Sequence, residues 1–218
     1  MPTTLTNCQV DQLGERLRQG RITERDLVLL NDYRQSFGDA YDVVIRAIRD
    51  RLQLEPTGRP AKSTPSIVAK LLRETARLSQ VQDIAGCRVI LDDVTQQNRA
   101  VESILELFPN ARVIDRRSKP SHGYRAVHII VDRSGKLVEI QVRTYLQHRW
   151  AELSEKMSDV RDPRIKYGGG DMFSRLVLWA ASGNVQWLEG QKIKGVLARI
   201  LQPIINFAFT ALLASLNR

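Results

Sequence analysis

Apolar side chains recur at helical spacing through the first 54 residues. Tyr41, Val44 and Ile48 form one such stripe, and Ile45 and Leu52 extend it. A period of three and four residues is typical of amphipathic helices that bury one face. The pattern predicts two or three helices between Val10 and about Leu54.

The period changes after this helical segment. Residues 55–65 (EPTGRPAKSTP) contain proline and glycine and predict a loop. Thr64 as N-cap and Pro65 at the first helical position then predict a helix that reaches about Leu78. The short apolar run CRVIL over 87–91 follows a turn at 83–86 and predicts a buried strand.

The remaining pattern predicts more strands and helices. Strands are expected over 111–115, 124–131 and 137–144, with helices over 95–108 and 146–157. The turn DRSG over 132–135 predicts a hairpin between the last two strands. The fold class is therefore α+β, with a mixed sheet of about four to five strands flanked by helices. We expect a helical segment over 1–55, a central domain over 56–160, and a helical extension over 161–218.

The two ends of the sequence predict no integral membrane span. The first twenty residues lack the continuous apolar core of a signal peptide. The apolar run over 204–213 (IINFAFTALL) is shorter than the ~20 residues that cross a bilayer. It predicts a packing or oligomerising helix, with a membrane-surface or partner-binding helix as alternatives. Cys8 and Cys87 form neither a disulfide framework nor a CxxC pair, so a cytoplasmic location is expected.

Positive charge is concentrated after residue 55. The chain carries 33 Lys and Arg against 24 Asp and Glu, a net charge of +9. Residues 1–55 hold eight Arg but nine acidic residues, so the whole excess lies further along. Arginine binds phosphate oxygens and stacks on bases, so the charge favours phosphates or nucleic acid as partners, although a basic surface without a ligand is the simpler alternative.

Polar side chains share one face of two predicted strands. Alternation places Glu139, Gln141 and Arg143 together, and it places Tyr124 with His128 on the neighbouring strand. An ordinary solvated sheet face would give the same pattern. Asp83, in the turn before the first strand, adds a second carboxylate that with Glu139 would suit Mg²⁺ and substrate phosphates.

Eight cationic residues accompany these carboxylates in the sequence: Arg59, Lys62, Lys70, Arg88, Arg116, Arg117, Lys119 and Arg143. Neither GxxxxGK[ST] nor GxGxxG occurs, so side chains rather than a glycine-rich loop would hold phosphates. No GxSxG motif indicates a serine nucleophile, and the three histidines lack zinc-site spacing. Nucleotide binding is the leading hypothesis.

An ordered set of motifs resembles the synthetase domain of the RelA/SpoT-like alarmone synthetases. The set comprises Lys62-x3-Ser66-x3-Lys70, DIAGCR over 83–88, SHGYRAVH over 121–128, VEIQVRT over 138–144, and WAE over 150–152. The resemblance covers roughly residues 58–157 and is that of a small stand-alone synthetase. It implies a nucleotidyltransferase-like synthetase fold and an ATP-dependent pyrophosphokinase that makes (p)ppGpp from GDP or GTP.

The resemblance also implies roles for individual residues. Asp83 and Glu139 would hold Mg²⁺, with Glu139 as candidate base. ATP would be bound by Arg59, Lys62, Ser66, Lys70 and Arg88. The acceptor nucleotide would be bound by Arg116, Lys119, Tyr124, His128, Gln141 and Arg143. The sequence departs from the family at Arg59, which is one residue further from Lys62 than is common, and at Glu155, where many relatives have histidine.

Two alternatives remain open at the level of sequence. One is a toxic relative that pyrophosphorylates the 3′ end of tRNA or makes adenosine alarmones, with an antitoxin as partner. The other is an inactive nucleotide- or RNA-binding module. The resemblance further implies a homo-oligomer. The net charge does not discriminate among these functions, because triphosphates and tRNA both demand it.

Overall fold

The computed structural model describes residues 5–190, which form seven α-helices and five β-strands. The helices are α1 (Asn7–Arg18), α2 (Glu24–Gln35), α3 (Gly38–Leu52), α4 (Thr64–Arg73), α5 (Val94–Leu107), α6 (Tyr145–Val160) and α7 (Met172–Gly190). The strands are β1 (Thr57–Arg59), β2 (Ala85–Leu91), β3 (Arg112–Asp115), β4 (Val127–Arg133) and β5 (Lys136–Thr144). The apolar run over 204–213 lies outside the described residues.

The strands form one five-stranded sheet in the order β1-β2-β5-β4-β3. Strands β4 and β5 are joined by the predicted hairpin, in which Ser134 and Gly135 both have positive φ, 55° and 78°. A two-residue turn of this kind matches the twist of the flanking strands and favours glycine. The predicted sheet flanked by helices is confirmed.

Three elements differ from the expectation. The strand predicted over 124–131 begins at Val127, so Tyr124 does not lie on it with His128. The segment predicted as a loop contains β1, which pairs antiparallel with β2 through Thr57 opposite Arg88 and Arg59 opposite Gly86. Three residues are too few for alternation to reveal a strand. Helix α4 ends at Arg73 rather than near Leu78, because the Arg18 side chain donates to the carbonyl of Leu71 in its last turn and to those of Glu74 and Ala76 after it.

The chain divides into two compact units, each with its own interior. The first contains the residues up to Val89 together with Ser103–Val113 and His128–Gln141, and in it α1 packs against α4. The second contains Ile90–Glu102, Ile114–Val127 and residues 142–190. In the second unit α6 packs on α7, and their core includes Trp150, Met157 and Leu178.

Helix α7 has two contrasting faces. Val177, Leu178 and Val185 are buried against the core of the second unit. The opposite side exposes Met172, Leu176, Trp179 and Trp187. No helix within residues 5–190 is long and apolar enough to span a membrane. Both cysteines are free thiols, Cys8 exposed and Cys87 buried.

Candidate functional site

Asp83 lies between two lysines in the first unit. Lys62 Nζ contacts Asp83 Oδ2, and Lys70 Nζ lies 2.9 Å from Asp83 Oδ1. Burial of Asp83 opposes its ionisation, but the charges of Lys62 and Lys70 outweigh burial and hold the pKa of the carboxyl below its ordinary value. Asp83 is therefore ionised at neutral pH, and two cations lie beside it.

Backbone contacts fix the position of Lys62. Its N–H donates to the carbonyl of Ile84 at 2.6 Å, and its own carbonyl accepts from Arg34 Nε at 2.5 Å. Arg34 Nη1 also lies 3.4 Å from Thr64 Oγ1. Arg34 belongs to α2, so a residue of the helical N-terminal segment orients the lysine loop. Sequence reasoning missed Arg34, because nothing in the pattern of α2 indicates a distant carbonyl partner.

Ser66 lies in the first turn of α4, four residues before Lys70. Ser63 precedes this helix as its N-cap, and Ser63 Oγ donates to Ser66 Oγ at 2.8 Å. Ser66 therefore contacts the loop that carries Lys62 rather than a charged group.

Glu139 is held by two side chains on the β4–β5 hairpin. Its Oε1 lies 2.7 Å from His128 Nδ1, and its Oε2 accepts from Gln141 Nε2 at 2.7 Å. Burial disfavours the charged carboxylate, but the hydrogen bonds from His128 and Gln141 prevail, and the pKa of Glu139 lies below its ordinary value. Neighbouring Asp83 acts in the opposite direction, since a second negative charge disfavours ionisation.

The donor set of this cluster fits a magnesium ion. No group of three or more His, Cys, Asp or Glu side chains suited to a metal occurs within residues 5–190. Asp83 and Glu139 are electrostatically coupled carboxylates, however, and each oxygen retains lone pairs beyond the bond described above. Mg²⁺ typically takes one or two carboxylates and completes its coordination with water and phosphate oxygens.

Arg59 and Arg88 lie on one face of the β1–β2 pair. Thr57 is opposite Arg88 and Arg59 is two residues beyond Thr57, so the two arginines are diagonal neighbours. Such neighbours are about 7–8 Å apart. An aromatic base in contact with a planar group on each side needs about 7 Å, since contacting carbon atoms lie about 3.5 Å apart. The register thus places the backbone positions of Arg59 and Arg88 at a separation that leaves room for one base between the two side chains.

Tyr124 and Arg143 form a pair in the second unit. The Tyr124 hydroxyl accepts from Arg143 Nη2 at 2.8 Å, and the guanidinium carbon lies 5.0 Å from the ring centroid. Arg143 is only 4% exposed. A buried arginine is stabilised by such hydrogen bonds and by the face of an aromatic ring. The predicted proximity of Tyr124 and Arg143 is therefore present, whereas His128 contacts Glu139.

A tight turn presents Tyr124. Ser121 and Tyr124 exchange backbone hydrogen bonds of 3.2 and 2.9 Å, and His122 and Gly123 between them have φ of 52° and 91°. A Cβ at position 123 would lie 2.8 Å from a ring carbon of Trp150. Glycine is therefore required twice at this position, for its φ and for the close approach of Trp150.

The basic loop over 116–126, which contains this turn, is closed at its base. Arg116 N–H donates to the carbonyl of Ala126 at 2.9 Å, which joins the two ends of the loop. Lys119 is exposed near its tip. Arg117 instead forms an ion pair with both carboxylate oxygens of Asp115, at 2.7 Å for the closest pair of atoms, and so supports the loop.

Glu155, at the position where many relatives have histidine, is exposed on α6.

Comparison with known proteins finds a family match in the central part of the chain. Residues 58–158 match the family described as the region found in RelA / SpoT proteins. An uncharacterized protein of Mycobacterium tuberculosis is 38% identical over 111 residues, which cover 49% of this chain and 41% of that protein. A probable chloroplastic GTP diphosphokinase of Oryza sativa is 30% identical over 118 residues, 52% of this chain and 17% of that protein.

The fold agrees with the solved structure of a small alarmone synthetase. The small alarmone synthetase 1 of Bacillus subtilis, solved with its product pppGpp, matches with a TM-score of 0.56 and 22% identity, over 84% of this chain and 99% of that chain. The predicted resemblance is confirmed. The chain spans less than half the length of the curated relatives it matches.

Proposed function

We propose that this chain, whose residues 58–158 match the region found in RelA / SpoT proteins, is a pyrophosphokinase that transfers the β,γ-pyrophosphate of ATP to the ribose 3′-hydroxyl of GDP or GTP and releases AMP. The observation that carries the proposal is the pair of partly buried, ionised carboxylates, Asp83 and Glu139, with Lys62 and Lys70 beside Asp83. Relatives named GTP diphosphokinase support the same assignment.

The donor nucleotide is assigned to the first unit. Lys62 and Lys70 neutralise the phosphates of ATP, Ser66 orders the loop between them, and Arg59 and Arg88 hold adenine from its two faces. Asp83 and Glu139 would hold Mg²⁺, which when bound offsets the negative charge of the transferring phosphates. Phosphoryl transfer depends on positioning and charge neutralisation, which these residues supply.

Glu139 is the candidate base for the attacking hydroxyl. Its low pKa keeps it ionised, and His128 and Gln141 fix both of its oxygens. A carboxylate with a low pKa is a weak base, so its main contribution is to orient the hydroxyl and to accept its proton late in the transfer. His128 and Gln141, inferred from the resemblance as acceptor-binding, act on the acceptor through Glu139.

The acceptor nucleotide is assigned to the second unit. Tyr124 offers an aromatic face to the guanine base, and Arg143 orients the phenol. Arg116 and Lys119 lie in the loop that meets the acceptor's own phosphates. Stacking on an aromatic ring tolerates several bases, so the reaction with a tRNA end or an adenosine nucleotide is the alternative, and an antitoxin would then be the partner.

The decisive experiment is an acceptor screen. The protein, Mg²⁺ and γ-labelled ATP are incubated separately with GDP, GTP, AMP and bulk tRNA. We expect label on GDP or GTP. Label on tRNA or AMP alone would establish the alternative, and no label on any acceptor would indicate a nucleotide-binding module. Glu155→Gln, which alters an exposed carboxylate on α6, is the matched control for variants of Glu139.

A further inference from the structure

Arg125, the residue after Tyr124, joins the basic loop to α7. The Arg125 guanidinium donates to the carbonyl of Arg117, to Gln186 Oε1 at 2.8 Å, and to Ser182 Oγ at 3.4 Å. The five donors of a guanidinium lie in one plane, so a single arginine reaches acceptors from separate segments. Arg125 thus connects the beginning of the loop, its end and the helix.

Ser182 holds the residue before Tyr124. It is 4% exposed, and its hydroxyl donates to the carbonyl of Gly123 at 2.8 Å. A carbonyl that is removed from water and loses its hydrogen-bond donor destabilises the fold by about 1–3 kcal/mol. The bond from Ser182 therefore helps to hold the turn in place. The residues on both sides of Tyr124 are therefore attached to α7, Gly123 through its carbonyl and Arg125 through its side chain.

Glu189 makes the corresponding contact to the strand that carries Arg143. It accepts from Thr144 Oγ1 at 2.5 Å and from Gln147 Nε2 at 2.9 Å. Thr144 directly follows Arg143 and is the N-cap of α6, where its Oγ1 also accepts from the Gln147 N–H at 3.1 Å. Burial raises the pKa of Glu189, although the bonds from Thr144 and Gln147 oppose this change.

We propose that the polar face of α7, formed by Ser182, Gln186 and Glu189, positions the Tyr124–Arg143 pair for the acceptor nucleotide through Arg125 and Thr144. The three residues lie at i, i+4 and i+7 and so share one side of the helix. The inference rests on the proposed function, because it adds positioning residues to the acceptor part of that site. None of them touches the nucleotide.

The arrangement predicts a selective effect on the acceptor. The 2.8 Å bond between Arg143 and Tyr124 requires that both side chains keep their positions, and α7 holds a neighbour of each. A displacement of about 1 Å in a positioned group costs roughly a hundredfold in rate. Lys62, Lys70 and Asp83 are held by contacts within the first unit, so ATP binding does not depend on these bonds.

The test compares KM for the acceptor with KM for ATP. Arg125→Gln removes the guanidinium that donates to Arg117, Ser182 and Gln186. We expect it to raise the acceptor KM about tenfold and to leave the ATP KM within about twofold. Arg125→Lys keeps a donor to Gln186 and should recover part of the loss. Ser182→Ala removes one hydroxyl and little volume, so it tests the same contact in a chain that folds. Arg164→Gln, at a side chain that is 79% exposed, is the control.

A double variant links the two contacts to one network. Arg125→Gln and Ser182→Ala should together cost less than the product of their separate effects, because both act on the same turn. The proposal would be overturned by equal changes in the acceptor KM and the ATP KM, or by a double variant whose effect is the product of the two single effects. The proposed function would stand in either case, provided that the wild-type chain turns over. A wild-type chain that labels no acceptor overturns both.

Discussion

The carboxylate cluster of the first unit and the Tyr124–Arg143 pair of the second are held in different ways. Lys62, Lys70, His128 and Gln141 contact Asp83 or Glu139 directly, and they belong to segments that the motifs already contain. The Tyr124–Arg143 pair depends on α7, whose Ser182 and Gln186 lie 57 and 61 residues further along the chain than Arg125. A charged cluster is therefore specified by local sequence, whereas an aromatic binding surface is specified by distant packing.

The largest expected effect concerns the cluster. Glu139→Gln removes the charge and the base, and we expect turnover to fall by about 10²–10⁴, the range for general base catalysis. Binding of an ATP analogue, measured by calorimetry, should remain because the lysines are unchanged. Normal turnover in this variant would show that Glu139 is not the base.

The next effect concerns the pair. Tyr124→Ala removes the ring, and we expect the acceptor KM to rise roughly 10- to 100-fold, as stacking contributes about 1–3 kcal/mol for each base. Tyr124→Phe keeps the ring and loses only the bond from Arg143, so its effect should be several-fold. Steady-state kinetics with each substrate varied separately distinguishes the two. An equal rise in the ATP KM would contradict acceptor stacking.

A smaller effect is expected at the β1–β2 face. Arg59→Ala and Arg88→Ala each remove one guanidinium from the proposed adenine sandwich, and cation–π contacts at exposed sites contribute about 0.5–1 kcal/mol. We therefore expect a rise of about two- to fivefold in the ATP KM for each, without change for GDP. Arg46→Ala, at an exposed residue of α3, is the control. A change confined to the acceptor KM would assign these arginines to the other nucleotide.

The smallest functional effect is expected outside both regions. Asp26 accepts from Arg16 and Thr23, and these hydrogen bonds lower its pKa from 3.8 to about 2, although burial opposes the change. A lowered pKa stabilises the fold above pH 3.8, and this stabilisation is lost as the pH falls from about 4 to about 2. Asp26→Asn should lower the free energy of unfolding by about 1–2 kcal/mol. Chemical denaturation at pH 7 and at pH 3 measures the difference, and both KM values should be unaffected.

Much of the fold follows from the sequence pattern. Strands β2 and β5, the β4–β5 hairpin and helix α5 lie within a few residues of their predicted bounds, because apolar alternation and the DRSG turn specify them locally. The end of α4 could not be predicted, since it depends on carbonyl contacts of Arg18, more than fifty residues earlier. Strand β1 could not be predicted, because its three residues are too few to show alternation.

The candidate site shows the same division. Asp83 contacts Lys62 and Lys70, and Glu139 contacts His128. All five residues belong to the motifs, and the partners are separated by only one or two elements along the chain. The diagonal arrangement of Arg59 and Arg88 depends on a strand register that no local pattern encodes. Arg34, Arg125 and Glu189 were missed because each is one of many polar residues on an amphipathic helix or in a loop, and only their partners distinguish them.

The three tryptophans give the molecule an optical label for one part of the site. Trp150 is 5% exposed and its ring lies 6.4 Å from that of Tyr124, whereas Trp179 and Trp187 on α7 are 75% and 61% exposed. Iodide in solution quenches the emission of exposed indoles and spares a buried one. The fluorescence that survives quenching therefore comes from Trp150, and a titration with unlabelled GDP would follow events beside Tyr124 alone.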